Sequence, residues 1–271
     1  VWHDRSVQLA DLLIYPVKSG AGISMTAWPL DERGLRLDRS FMVVRADTGA
    51  FLTQRQIPAL ALLRPALSDG LLTLQTPHGT VAVPIAGDGP VRNVQVWEHT
   101  GAARDCGDRA AELLSELVGM PARLVGLDPG HDRRAEPRYA GAEVPVGFSD
   151  GYPLLVISQA SLDALNARLP QPLPMNRFRP NLVLTGTEAF AEDGWTRIRV
   201  GAIPIDIVKP CTRCAITTVE QETGQRAGAE PLRALGTFRR GPKGVQFGQN
   251  AVHRAPGMLR VGDPVRPARA G

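Results

Sequence analysis

Cysteine, lysine and aromatic residues are all scarce in this chain, and each shortage excludes something. Three cysteines in 271 residues are too few, and odd in number, for a disulfide framework, and they make a reducing cytoplasm the expected location. Three of the 31 basic residues are lysines (Lys18, Lys209 and Lys243); the others are arginines dispersed among 27 acids. Aromatics make up 5%, too few for the stacking platforms of single-strand binding, so nucleic acid is not an expected partner despite a pI of about 9.3. The planar fork of arginine suits phosphate or carboxylate ligands instead. No apolar run approaches the roughly 18 residues a spanning helix needs, so no membrane partner is expected. The start, Val1-Trp-His-Asp-Arg5, has no basic region followed by an apolar one and reads as having no leader.

What is present is a core-forming chain, 43% hydrophobic. Short segments rich in Val, Leu, Ile and Thr fall at 7–14, 23–28, 40–46, 51–54, 71–75, 80–84 and 91–97, separated by Gly, Pro and Asp turns. Leu71–Val83 reads as a hairpin around Pro77-His78-Gly79. A helix follows over about 108–118, with Ala110, Leu113, Leu114 and Leu117 on one face; Asp105-Cys-Gly-Asp108 ahead of it reads as a cap. Residues 127–143 are polar and read as a linker or a long loop over a site. The second half has a strand at 153–157 and a helix near 159–169 capped by Ser158. Further strands are expected at 181–185, 195–200, 203–208, 215–219 and 258–265, with a short helix after Glu230-Pro231. The fold class is mainly β, in the α+β sense, with two domains expected at 1–126 and 127–271.

The sharpest local feature is Lys209-Pro-Cys-Thr-Arg-Cys214. Zinc needs four ligands and usually a second such pair. A thioredoxin-like couple needs a helix start after the first thiol, where Ala215–Val219 reads as strand. One thiolate holding a metal that arrives with its own organic ligand is the third reading, with Lys209 and Arg213 favouring the thiolate; two inert cysteines are the fourth.

Seven blocks recur in order: Tyr15-Pro-Val-Lys-Ser-Gly20, Leu37-Asp-Arg-Ser-Phe41, Thr53-Gln-Arg-Gln56, Phe148-Ser-Asp-Gly-Tyr-Pro153, Asn176-Arg-Phe-Arg-Pro-Asn181, Cys211-Thr-Arg-Cys214 and Phe247-Gly-Gln-Asn250. Together they resemble the molybdenum-cofactor proteins in which a MOSC domain follows a MOSC N-terminal β-barrel domain, the family of the mitochondrial amidoxime-reducing component and its bacterial relatives. The resemblance runs from about 7 to 267. It implies an N-terminal β-barrel-like domain, a C-terminal MOSC barrel and a molybdenum cofactor (Mo-molybdopterin), with Cys214 as metal ligand and catalytic residue. It also implies cofactor contacts from Lys18, Ser19, Arg39, Arg55, Asp150, Arg179, Asn181, Thr212 and Arg213. Relatives often carry a hydroxyl residue where this chain has Gly151.

The implied activity is reduction of small N-hydroxylated compounds (amidoximes, hydroxylamines, N-hydroxylated bases) by oxygen-atom transfer. On the length and cysteine count of the chain, electrons are expected from a separate protein, ferredoxin- or flavodoxin-like with a reductase. The rival readings are a carrier of the cofactor or of sulfur, without the pyridoxal-phosphate domain of the sulfurases, and a non-catalytic protein that binds another phosphorylated ligand.

Overall fold

The computed structural model describes residues 6–141 and 143–269, so the leader reading of Val1–Arg5 lies outside the described residues. Strands dominate. The largest sheet runs Ile23–Met25, Gln8–Ile14, Leu182–Thr185, Leu154–Ser158, Gly244–His253, Ile203–Thr212, Trp195–Val200 and Val265–Arg269 in spatial order. Leu154–Ser158 and Leu182–Thr185 lie parallel, and the helix Gln159–Asn166 makes the crossover between them. Ser158 caps that helix as expected, its hydroxyl accepting from Ser161 N at 3.1 Å. In Gln8–Ile14 a register shift between Leu9 and Asp11 replaces strict alternation, so Leu9, Leu12 and Ile14 all reach the core. This N-terminal strand pairs directly with Leu182–Thr185, so both halves of the chain build one sheet.

The other strands of the first half form a four-stranded sheet (Phe41–Arg45, Ala122–Leu127, His99–Asp105, Val91–Val96) and a three-stranded one (Arg64–Ser68, Leu71–Thr76, Gly79–Pro84). The helix Asp108–Val118 lies between them. Ala110, Leu114 and Leu117 pack with Val43, Leu72, Leu74, Val81, Val83 and Leu124, while Leu113 is half-buried. The N-cap of this helix is Gly107, without a side-chain cap; Asp105 instead accepts from Gly107 N at 2.7 Å and pairs with Arg92 and Arg123.

Three other expectations change, and one strand, Gly244–His253, has no counterpart among those expected. Residues 51–54 are not a strand: Phe51 makes an isolated bridge to Val44, and a 3-10 helix follows at Pro58–Leu62. Residues 215–219 begin with a 3-10 helix, Ala215–Thr218, because the Thr217 and Thr218 hydroxyls donate back to the carbonyls of Cys214 (3.0 Å) and Ala215 (2.8 Å). Gly244–His253 is a ten-residue strand despite its Gly, Gln and Asn, because it is paired on both sides, with Leu154–Ser158 and Ile203–Thr212. Segment 127–143 is folded against the body: His131, Arg133, Ala135 and Ala140 are buried, and Pro137–Ala140 is a short helix.

Candidate functional site

All ten residues singled out from the sequence line one cleft of about 850 Å³, part of it open to solvent. They arrive from both halves of the chain. The strand Gln8–Ile14 runs into the turn that carries Lys18 and Ser19, held by a parallel bridge from Val17 to Phe41 and by Gln54, whose side-chain amide donates to Ser19 O at 2.7 Å. Ser19, Arg39 and Arg179 all have left-handed backbone, at φ 66°, 47° and 57°. Such conformations cost about 1–3 kcal/mol each in a non-glycine residue and persist where surrounding structure enforces them.

Lys18 is buried. Its Nζ donates to Phe148 O at 2.8 Å and pairs with Asp150. Burial depresses the Lys18 pKa, and Asp150 opposes that shift. Desolvation works against charge on Asp150, yet Lys18, Arg55 and Arg39 together hold its carboxyl well below the usual carboxylate range. Arg55 joins this pair to the thiol. Its Nη2 donates to Asp150 Oδ2 at 3.2 Å and its Nε to Cys214 Sγ at 3.3 Å.

Arg39 and Arg179 each stack on the Tyr15 ring, with guanidinium carbons 4.3 Å from its centroid. Arg39 is tied to Asp38 and Asn181, and Arg179 Nη1 donates to Gly20 O at 2.6 Å. Burial lowers the Arg179 pKa to about 10, with Arg39 adding to the effect and Tyr15 opposing it; burial raises the Tyr15 phenol to about 12. Asn181 lines the cleft but its amide is engaged: Oδ1 accepts from Leu155 N and Arg39 Nη1, both at 3.1 Å, and Nδ2 donates to Leu13 O at 3.1 Å. It pins two strands to Arg39.

Thr212 ends the strand Ile203–Thr212 opposite Gln246, and Cys214 directly precedes the 3-10 helix. Arg213 donates to Cys211 Sγ at 2.9 Å and to Phe178 O at 2.6 Å, while its buried Nε has no partner among the described residues. Lys209, expected beside the thiols, turns instead to the Tyr139 ring (4.6 Å) and Glu136 (4.0 Å), in a strand whose register shifts between Ile207 and Lys209 and again between Pro210 and Thr212. Three further residues serve the site unforeseen. Arg133 is buried and donates to Gly147 O (3.0 Å), Ser149 O (2.6 Å) and Asp150 O (3.1 Å), gripping the turn that presents Asp150. Ser149 lines the cleft with a buried hydroxyl that has no partner among the described residues. Trp97 stands against Arg55, 4.6 Å from guanidinium carbon to ring centroid. Ser149 lies inside one of the seven sequence blocks; Arg133 and Trp97 carry no local signal.

Lys18, Arg39, Arg55, Arg179 and Arg213 converge on this cleft, opposed by Asp150 and by Asp38 beneath Arg39. Such an arrangement suits a polyanionic ligand with a thiol at one end.

Residues 6–121 match the family described as the MOSC N-terminal beta barrel domain, and residues 143–266 match the MOSC domain. Mitochondrial amidoxime-reducing component 1 of Mus musculus is 35% identical over 277 residues, covering 95% of this chain and 81% of that protein. The Homo sapiens component 1 is 34% identical, covering 95% and 82%. Mitochondrial amidoxime reducing component 2 of Rattus norvegicus is also 34% identical, covering 93% and 80%. These relatives are named as mitochondrial, which overturns the cytoplasmic expectation. Scarce, unpaired cysteines report a reducing environment, and that does not single out one compartment.

Proposed function

This chain belongs to the MOSC-domain family that includes the mitochondrial amidoxime-reducing components, and from that premise we propose that it is a molybdenum-cofactor-dependent oxidoreductase that reduces small N-hydroxylated compounds. The observation that carries this reading is Arg55 bridging the Cys214 thiol and Asp150 inside a cleft rich in cations. The residues fit a phosphorylated pterin with a thiol-bound metal. Cys214 is a soft donor at one end, and Arg213 Nε and Ser149 Oγ are buried polar atoms without a partner among the described residues.

In this reading Cys214 holds the metal, and Lys18, Ser19, Arg39, Arg55, Arg179, Thr212 and Arg213 hold the organic part. When bound, the cofactor supplies the two-electron oxygen-atom transfer that reduces an N–O bond, the oxygen leaving as water. The chain's own part is binding and orientation. Arg39 and Arg179 are fixed on Tyr15, so little ordering remains when an anion enters. Asp150 holds Lys18 and Arg55 in place and keeps the cluster from self-repulsion. Asn181 acts as a positioning residue through Arg39. Residues 1–126 contribute Lys18, Ser19, Arg39 and Arg55, and residues 127–271 contribute the thiol, so the site forms where the two proposed domains meet.

In this reading the electrons come from a separate donor protein, an expectation that rests on membership of the family. The test is protein made in a cofactor-competent host. Stoichiometric molybdenum, pterin fluorescence after oxidation and donor-supported turnover of benzamidoxime are expected. Cofactor without turnover would favour a carrier, and neither cofactor nor turnover would leave a binder of some other phosphorylated ligand.

A further inference from the structure

Trp97 is out of keeping with its position. It is the first of the two turn residues, Trp97 and Glu98, between Val91–Val96 and His99–Asp105, and its φ is 56°. Two-residue hairpins prefer glycine, asparagine or aspartate at positive φ, and a bulky side chain there is strained. The residue is also 39% exposed, in a chain where large apolar side chains are mostly buried. The turn is nonetheless held in place: Gln95 Nε2 donates to Trp97 O at 2.9 Å, and Phe51 N donates to Gln95 O at 3.0 Å. The Phe51 ring lies 5.1 Å from the Trp97 ring, inclined at 58°. Two cleft-lining cations face this aromatic pair, Arg55 at 4.6 Å and Lys18 Nζ at 5.8 Å from the Trp97 ring. Arg55 is the residue that touches Cys214. A strained, exposed aromatic is therefore one side chain away from the thiol.

We propose that Trp97, backed by Phe51, is a specificity-determining wall at the mouth of the cleft, on which flat, aromatic N-hydroxylated substrates stack in preference to aliphatic ones. The inference rests on the reductase reading and adds a substrate class to it. Backbone strain is retained at such a position where the side chain does something that glycine cannot. An exposed indole offers an offset-stacking face to an aryl or amidine plane, and Arg55 and Phe51 limit its rotation.

The experiment compares benzamidoxime with acetamidoxime, expressed per bound molybdenum, in wild type, Trp97→Gly and Trp97→Phe. Glycine relieves the strained φ while it removes the ring, so the fold is expected to survive. The kcat/KM ratio of benzamidoxime to acetamidoxime is expected to fall roughly three- to tenfold in Trp97→Gly, through KM, and to recover in Trp97→Phe. Equal loss for both substrates, carried by kcat, would overturn the proposal and leave Trp97 as a support for Arg55. If loaded wild type turns over neither compound, the reductase reading fails. Calorimetric titration with the same two compounds then decides the inference. Tighter binding of benzamidoxime that is lost in Trp97→Gly upholds it, and no difference between wild type and variant overturns it.

Discussion

Arg55 and Cys214 are 159 positions apart in the chain and meet through Nε and Sγ at 3.3 Å, while the other arm of the same guanidinium holds Asp150. The contact joins the N-terminal half of the chain to the thiol and sets the two cysteines of the Cys-x-x-Cys pair apart. Cys214 faces Arg55, and Cys211 faces Arg213 at 2.9 Å and packs against the cluster around Phe178 and Phe247.

Cys214→Ser is therefore expected to abolish molybdenum-dependent turnover, while Cys211→Ser keeps much of it. Metal analysis with steady-state kinetics on both variants checks this. Equal activity of wild type and Cys214→Ser would sink the ligand assignment.

Arg179 and Arg134 differ in what surrounds them. Arg179 is buried between Tyr15 and Gly20, whereas Arg134 is exposed and pairs with Glu143. Arg179→Ala is expected to lower cofactor occupancy severalfold and Arg134→Ala to leave it near wild type. Pterin content per chain, read by fluorescence, gives the comparison.

Removing the Asn181 amide takes away the partner of a partly buried carbonyl, Leu13 O, and of a buried amide, Leu155 N. Asn181→Leu should destabilise the fold by about 2–6 kcal/mol, read as a lowered urea midpoint, since each of the two orphaned groups costs about 1–3 kcal/mol. An unchanged midpoint would show that these strands do not depend on the amide.

Asp105 is buried, and burial alone would raise its pKa; Arg123, the Gly107 amide and Arg92 more than compensate and lower it. A carboxyl whose folded pKa lies below its unfolded value stabilises the fold above the unfolded value of about 4, and that contribution is lost as pH falls through the folded pKa. Melting temperature is thus expected to drop steadily from about pH 5 to pH 2, in the usual carboxylate range. The slope should be shallower in Asp105→Asn. Parallel pH profiles for the two proteins would argue that other carboxylates carry the acid sensitivity.

The residues of the cleft were legible because they fall in short blocks, ordered along the chain, that resemble those of a known family; singly, each of them reads equally well as a turn, a surface ion pair or a strand entry. Strands with clear alternation, such as Leu71–Thr76, and the helix Asp108–Val118 could be read from periodicity. The strand Gly244–His253 could not, because its neighbours on both sides, and not its own composition, make it a strand. Arg133 and Trp97 were also invisible. An arginine in a polar stretch and a tryptophan in a turn acquire meaning only from the carbonyls and guanidinium they meet.

By itself the sequence determined the β-rich class and the ordered blocks that carry the resemblance to the family, since residue type and order are local properties. Tertiary structure alone decided which cation faces which thiol, and that Asn181 is engaged by the backbone. It also decided that Arg39 and Arg179 share one stacking partner in Tyr15. Those outcomes depend on strand pairing between segments more than 100 residues apart, as in Gln8–Ile14 with Leu182–Thr185, where register and not composition sets which side chains meet.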